Sequence, residues 1–116
     1  MHHKGIENDL QVFKVPGAFE IPGAVTQILK NNNDINAIVT LGCVIKGETA
    51  HFEYICSSVT NSISKLSLEA NIPIIYGILT AYNFEQALER SDPNRKNKGG
   101  EVMQAAIDTI KTWSEI

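Results

Sequence analysis

Lys46-Gly47-Glu48-Thr49-Ala50-His51 is the run of this 116-residue sequence whose residue types concentrate the most chemistry in the least space. It joins an apolar, β-like stretch to a helical pattern. Gly47 lets the backbone approach a ligand closely, N–H groups at a helix start face an anion, and Lys46 and the Thr49 hydroxyl add donors. No complete phosphate-loop motif is present, a glycine-containing strand-to-helix run is more often just a turn, and the Glu48 carboxylate opposes an anion unless it points away. His51 can exchange a proton near neutrality, and a neighbouring anion would favour its cationic form. Its plainer reading is a polar residue capping the helix.

A second candidate is Val15-Pro16-Gly17-Ala18-Phe19-Glu20-Ile21-Pro22, which sets an aromatic face and a carboxylate in one tight turn. Phe19 could stack on a planar ring and Glu20 could accept protons from the hydroxyls of a polyol. The alternative is a hydrophobic plug with a carboxylate favoured by the helix dipole. Arg90 closes a short helical pattern, and Arg95, Lys96 and Lys98 make the following segment basic. Such charges are commonly just solvated surface, although a guanidinium at Arg90 can hold a phosphate through two parallel hydrogen bonds. Tyr76 sits on an apolar strand and reads as a core or interface aromatic. Cys43 and Cys56 show neither Cys-x-x-Cys nor zinc-finger spacing and read as reduced, buried thiols.

These residues need elements to position them. Leu10–Val15 reads as a short strand stopped by Pro16-Gly17. A helix follows, with Pro22 in its first turn and Ala24, Val25, Ile28 and Leu29 at helical spacing, ending at the Asn31–Asp34 turn. Ala37–Ile45 is a continuous apolar run rich in β-branched residues, which predicts a parallel-sheet strand buried on both faces. From His51 the period changes to about 3.6, with Phe52, Ile55, Cys56, Val59, Ile63 and Leu66 in one stripe. Ile72–Thr80 predicts another strand, Phe84–Arg90 a short helix, Ser91–Asn97 a polar loop, and Val102, Ala106, Ile110 and Trp113 one side of a closing helix.

Alternating strands and helices imply right-handed crossovers and an α/β/α three-layer sandwich around a mostly parallel sheet. Three loops then share one edge, Pro16–Ile21, Lys46–His51 and Ala81–Asn83, each leaving the carboxyl end of a strand, where open α/β sheets bind ligands. The composition fits one ordinary globular domain: 43% hydrophobic, 20% charged, net charge −3. An acidic balance without a run of Lys or Arg excludes a protein whose main task is neutralising nucleic acid or an anionic membrane. No stretch approaches the roughly 20 apolar residues of a membrane span, and no secretory signal is legible at the start, so a soluble, cytoplasmic protein is expected.

Four segments, taken together and in order, resemble lumazine synthase: Val15–Pro22; Leu41-Gly42-Cys43-Val44-Ile45-Lys46-Gly47-Glu48-Thr49-Ala50-His51-Phe52-Glu53-Tyr54; Gly77-Ile78-Leu79-Thr80 with Glu85-Gln86-Ala87; and Asn97-Lys98-Gly99. The resemblance implies a flavodoxin-like fold and condensation of 5-amino-6-(D-ribitylamino)uracil with 3,4-dihydroxy-2-butanone 4-phosphate to 6,7-dimethyl-8-ribityllumazine, the penultimate step of riboflavin synthesis. It implies no metal or redox cofactor, and small-molecule substrates as the ligands. Carried over residue by residue, Ala18, Phe19 and Glu20 match the pocket segment for the ribitylaminouracil, and Cys43, Val44 and Ile45 match the backbone strip along its pyrimidine. Glu48 and Thr49 match the pair that cradles the butanone phosphate, with Arg90 its guanidinium partner and His51 the proton donor. Tyr76 falls where the family commonly has an aromatic, usually Phe, contributed across a subunit boundary. Lys98 and Glu101 match a basic–acidic pair near the site.

The resemblance further implies a homopentamer, or a multiple of pentamers, with sites at subunit interfaces. The loop Ser91–Lys96 carries Pro93 in place of the glycine-containing version common in the family, with no insertion. Family members have a strand and most of a helix ahead of the position of Met1, so a domain truncated at its amino terminus is expected. An assembling flavin- or lumazine-binding relative without turnover is the alternative function for such a form.

Overall fold

Two β-branched runs, separated by a long helix, build both of the two-stranded parallel sheets among the described residues. The computed structural model describes residues 10–32, 34–47 and 50–116. Strands β1 (Ile38–Val39) and β2 (Gly42–Ile45) pair in parallel with β3 (Ile74–Ile75) and β4 (Ile78–Ala81). Ile38 faces Ile74, and Gly42 through Ile45 face Ile78 through Ala81, so every partner lies 36 positions further along the chain. One register therefore runs through both pairs. Parallel pairing requires a long crossover, supplied here by a 19-residue helix, α2 (His51–Glu69).

Each expected strand is split in two, and a side chain explains the split. Between the pairs, the buried Thr40 donates its backbone N–H to the Ile75 carbonyl at 3.0 Å. Its hydroxyl donates to the same carbonyl at 2.8 Å and accepts from the Gly77 N–H at 3.2 Å. A side-chain oxygen thus takes a place in the ladder. Residue 77 must be glycine for this approach, because a Cβ there would run into the Thr40 carbonyl oxygen and lie 3.0 Å from both methyls of Val102.

The helices follow from local signals. A single 3₁₀ turn, Ala18–Glu20, leads into α1 (Ile21–Asn31), where Pro22 occupies the first turn and Asn32 closes the end by bonding the Ile28 carbonyl through both backbone and side chain. Helix α3 (Phe84–Ser91) is capped by Asn83, which accepts from the Gln86 N–H at 2.8 Å, while the Gln86 side chain accepts from the Tyr82 N–H at 2.9 Å. Helix α4 (Lys98–Ser114) is capped by Asn97, which adopts a left-handed φ of 46° and accepts from the Gly100 N–H. The core joins Ile21 and Val25 of α1, Val59 and Ile63 of α2, and Ile38, Ile74 and Ile78 of the strands. Neighbours Tyr76 and Gly77 look to different helices, the Tyr76 hydroxyl to Thr60 of α2 at 3.0 Å and the Gly77 backbone to Val102 of α4. On α4, Val102 and Ala106 are buried, whereas Ile110 and Trp113 on the same side are over a third exposed.

Three expectations are corrected. Leu10–Val15 forms no strand: Val12 and Phe13 are 78% and 56% exposed, and no described residue pairs with the segment. β-propensity extends a chain, but only a ladder partner makes it a strand. The Ala37–Ile45 run is not buried on both faces, because along β2 Gly42 and Val44 are half-buried while Cys43 and Ile45 are exposed. Its apolar character reflects one covered face and one open one. Accordingly Cys43 is an exposed thiol and Cys56 a half-buried one, though both are free as expected.

The Thr40–Gly77 contact makes a prediction. Gly77→Ala should lower folding stability by about 2–3 kcal/mol, the usual cost of forcing atoms into a filled site. Gly23→Ala, in α1 with open space around it, should instead raise stability by about 0.5–1 kcal/mol. Denaturant midpoints of the two variants test the opposite signs.

Candidate functional site

The site is built where β2 and β4 end together. The Lys46 N–H donates to the Ala81 carbonyl at 2.9 Å, extending the ladder by one bond, and the chain then parts toward α2 and α3. Lys46 Nζ lies 5.3 Å from the Tyr82 ring centre, and the Phe52 and Tyr82 rings stand 6.2 Å apart at 38°. These contacts tie the first turn of α2 to the start of α3. His51 is the first residue of α2 and is exposed; the N-cap is Ala50, so His51 opens the helix rather than capping it. Glu48 and Thr49 lie outside the described residues.

Alongside runs the strip Cys43-Val44-Ile45. Ile38, Thr40 and Lys46 direct their N–H groups at the partner strand, so alternation turns the peptide groups of Cys43 and Ile45 to the other edge of β2. No described strand pairs with that edge. Ala18 packs beside Gly42, its Cβ 3.9 Å from where a Gly42 Cβ would stand. Phe19 is 56% exposed, and the exposed Glu20 folds its carboxylate back over Gly17.

On the outer side of β4 an open cleft of about 330 Å³ is floored by Ile78, Leu79 and Thr80 and walled by Arg90, Lys96, Lys98 and Glu101. The Arg90 guanidinium donates to the Thr80 carbonyl at 2.6 Å, which fixes one arm and leaves the others available. Lys98 and Glu101 pair at 3.4 Å one helical turn apart. Arg90 also acts on the strip: partial burial pushes the Cys43 thiol above its ordinary value, and the guanidinium charge offsets part of that rise. The Arg90 guanidinium is therefore close enough for the Cys43 thiol to feel its charge. Burial likewise raises the Cys56 thiol, and Glu53 adds to it.

Ala18, Cys43–Ile45, Arg90, Lys98 and Glu101 are thus gathered around the strand ends, with His51 opening the helix next to them. Tyr76 stands apart, since its hydroxyl is held by Thr60 at the middle of α2. Sequence reasoning singled out neither Tyr82, which gathers Lys46 and Phe52, nor the backbone role of Thr80. It noted Lys96 only as surface charge; the basic loop was the available signal, but Arg95 and Lys96 are indistinguishable by spacing. Among the described residues no group of three or more His, Cys, Asp or Glu could hold a metal ion.

A peptide strip and a basic cleft at neighbouring parallel strands, with a histidine at the following helix start, define an α/β protein whose candidate site lies at its strand ends, where open α/β sheets bind ligands. The particular family follows from comparison with known proteins: the family described as 6,7-dimethyl-8-ribityllumazine synthase matches residues 1–114, and the chain belongs to it. This is a family of transferases of riboflavin biosynthesis, acting on small-molecule substrates. No described helix is long and apolar enough to cross a membrane.

The Arg90–Cys43 coupling is measurable without substrate. In a Cys56→Ser background, alkylation of Cys43 should rise only above the ordinary thiol pH range, and Arg90→Gln should move that rise to still higher pH. A shift to lower pH, or none, would separate the guanidinium from the strip.

Proposed function

We infer that this chain condenses 5-amino-6-(D-ribitylamino)uracil with 3,4-dihydroxy-2-butanone 4-phosphate, forming 6,7-dimethyl-8-ribityllumazine and releasing phosphate and water. The reading rests on one observation above the rest: in a chain of this family, a basic cleft around Arg90 opens on β4 while its partner strand β2 leaves the peptide groups of Cys43 and Ile45 unclaimed by the described ladder. The uncharged pyrimidine suits the strip. Along Cys43-Val44-Ile45 the outward peptide N–H and C=O groups of Cys43 and Ile45 offer donors and acceptors in a row, Ala18 and Phe19 supply an apolar border, and Glu20 accepts from ribityl hydroxyls. Tyr76 belongs to this pocket on the resemblance, and its bond to Thr60 gives its extra hydroxyl the partner it needs.

The phosphate suits the other end. Arg90 holds it, with Glu48 and Thr49 its further partners on the resemblance, and Lys98 and Glu101 keep the neighbourhood basic but balanced. Every step moves protons rather than electrons: an amine attacks the ketone, phosphate leaves, and the second amine closes the ring. His51 shuttles the protons, Arg90 and Thr49 stabilise the departing phosphate, and holding two substrates together supplies the remainder of the rate.

We read the chain as one domain, a flavodoxin-like α/β/α sandwich; the divergence of Tyr76 and Gly77 toward α2 and α4 supports helices on both faces. It acts as a pentamer or a multiple of pentamers with sites at subunit boundaries. The exposure of Phe13, Phe19, Leu41 and Ile45, the last at 41%, supports an assembled form that covers them.

The test is to combine the purified protein with both substrates and follow the lumazine product and phosphate. Turnover is expected, and His51→Ala should slow it about ten- to a hundredfold, the low end for a positioned proton donor, while leaving assembly intact by light scattering. No product from the parent protein would sink the reading. Undiminished turnover in His51→Ala would remove His51 from the mechanism.

A further inference from the structure

We propose that Lys96 is a third binding cation of the cleft, one that captures the phosphate-bearing substrate. The proposal rests on the phosphate-releasing function above and adds a specificity residue to it. The loop between α3 and α4 holds two adjacent cations and sorts them. Asp92 pairs with Arg95 Nε at 3.8 Å, accepts from the Asn94 N–H at 2.8 Å through its carboxylate, and accepts from the Arg95 and Asn97 N–H groups at 3.0 Å through its carbonyl. The Lys96 N–H is pinned to the Glu89 carbonyl at 3.2 Å. Arg95 is thereby turned onto the loop itself, whereas Lys96 is delivered to the cleft wall with Arg90 and Lys98.

Charge matching gives Lys96 its role. A phosphate monoester carries roughly −1.5 to −2 at neutral pH. Within the cleft Lys98 is offset by Glu101 at 3.4 Å, and Arg90 supplies one positive charge. Lys96 forms no ion pair with a described residue and supplies a second, so that the cleft's net charge mirrors the ligand's. The chain as a whole is at −3 and repels such a substrate at distance, which makes a local excess of cations matter.

The experiment compares Lys96→Ala, Lys96→Arg and Arg95→Ala, the last removing the same charge one residue away. At low ionic strength, Lys96→Ala should raise KM for the phosphate-bearing substrate about three- to tenfold, with the effect on KM rather than kcat and KM for the uncharged partner unmoved. The effect should fade at high salt, Lys96→Arg should restore KM, and Arg95→Ala should match the parent. Inorganic phosphate, titrated by calorimetry without substrates, should bind more weakly to Lys96→Ala by a similar factor. An unchanged KM, or an equal rise in Arg95→Ala, would overturn the proposal. If the parent makes no product, the reaction assignment fails, and the phosphate titration alone decides Lys96. Absence of phosphate binding to the parent, or equal binding to parent and Lys96→Ala, counts against it.

Discussion

The hydroxyl of Thr40, held between the Ile75 carbonyl and the Gly77 N–H, is the contact on which the rest of the architecture turns. A two-strand ladder of this size is weakly specified by pairing alone, and a slip of one residue would exchange every inward side chain for an outward one. The hydroxyl fits one register only, because only one position in the partner strand lacks a Cβ and so allows the approach. With Thr40 seated, Cys43 is placed beside Leu79 and Ile45 beside Ala81, both strands end at one level, and both following loops open at the same edge. The relation of strip to cleft is thus set by a contact buried at the middle of the ladder.

Much of this arrangement is legible in the sequence, for physical reasons. Helix α2 is readable because Phe52, Val59 and Ile63 repeat at the helical period over 19 residues, and a long repeat averages out local exceptions. The strand ends are readable because Gly47 and Asn83 interrupt apolar runs. What is not readable depends on partners distant in the chain. Thr40 and Leu41 sit in a run that propensity alone makes continuous, and only the close approach of Gly77 and Val102, far along the chain, breaks it. Leu10–Val15 satisfies every local criterion for a strand, yet its state is decided by whether an edge is offered to it.

The site divides in the same way. Residue types identified Arg90 and His51 as groups with chemistry to do, and spacing placed them near strand ends. An apolar run predicts two covered faces and a buried Cys43, whereas here one face is left open, and the strip lies along the free edge of the same strand. Arg95 and Lys96 are equivalent in composition, and Asp92 alone tells them apart by pairing with one of them.

On the proposed reaction, openness of the cleft is itself part of the design. Phosphate is a leaving group that must first be stabilised and then released, and tight binding of the ground state or the product adds nothing to turnover. Cations walled around an open cleft remain in water, where their attraction is screened and reversible. Arg90 is positioned by its bond to Thr80 rather than by burial, so it keeps a fixed direction without the desolvation cost of an enclosed charge. The strip has the opposite requirement: an uncharged pyrimidine offers no long-range attraction and must be recognised by peptide groups already held in place. A rigid ladder edge supplies such groups, while a cation-bearing loop over β4 supplies the weaker, releasable hold that a departing phosphate needs.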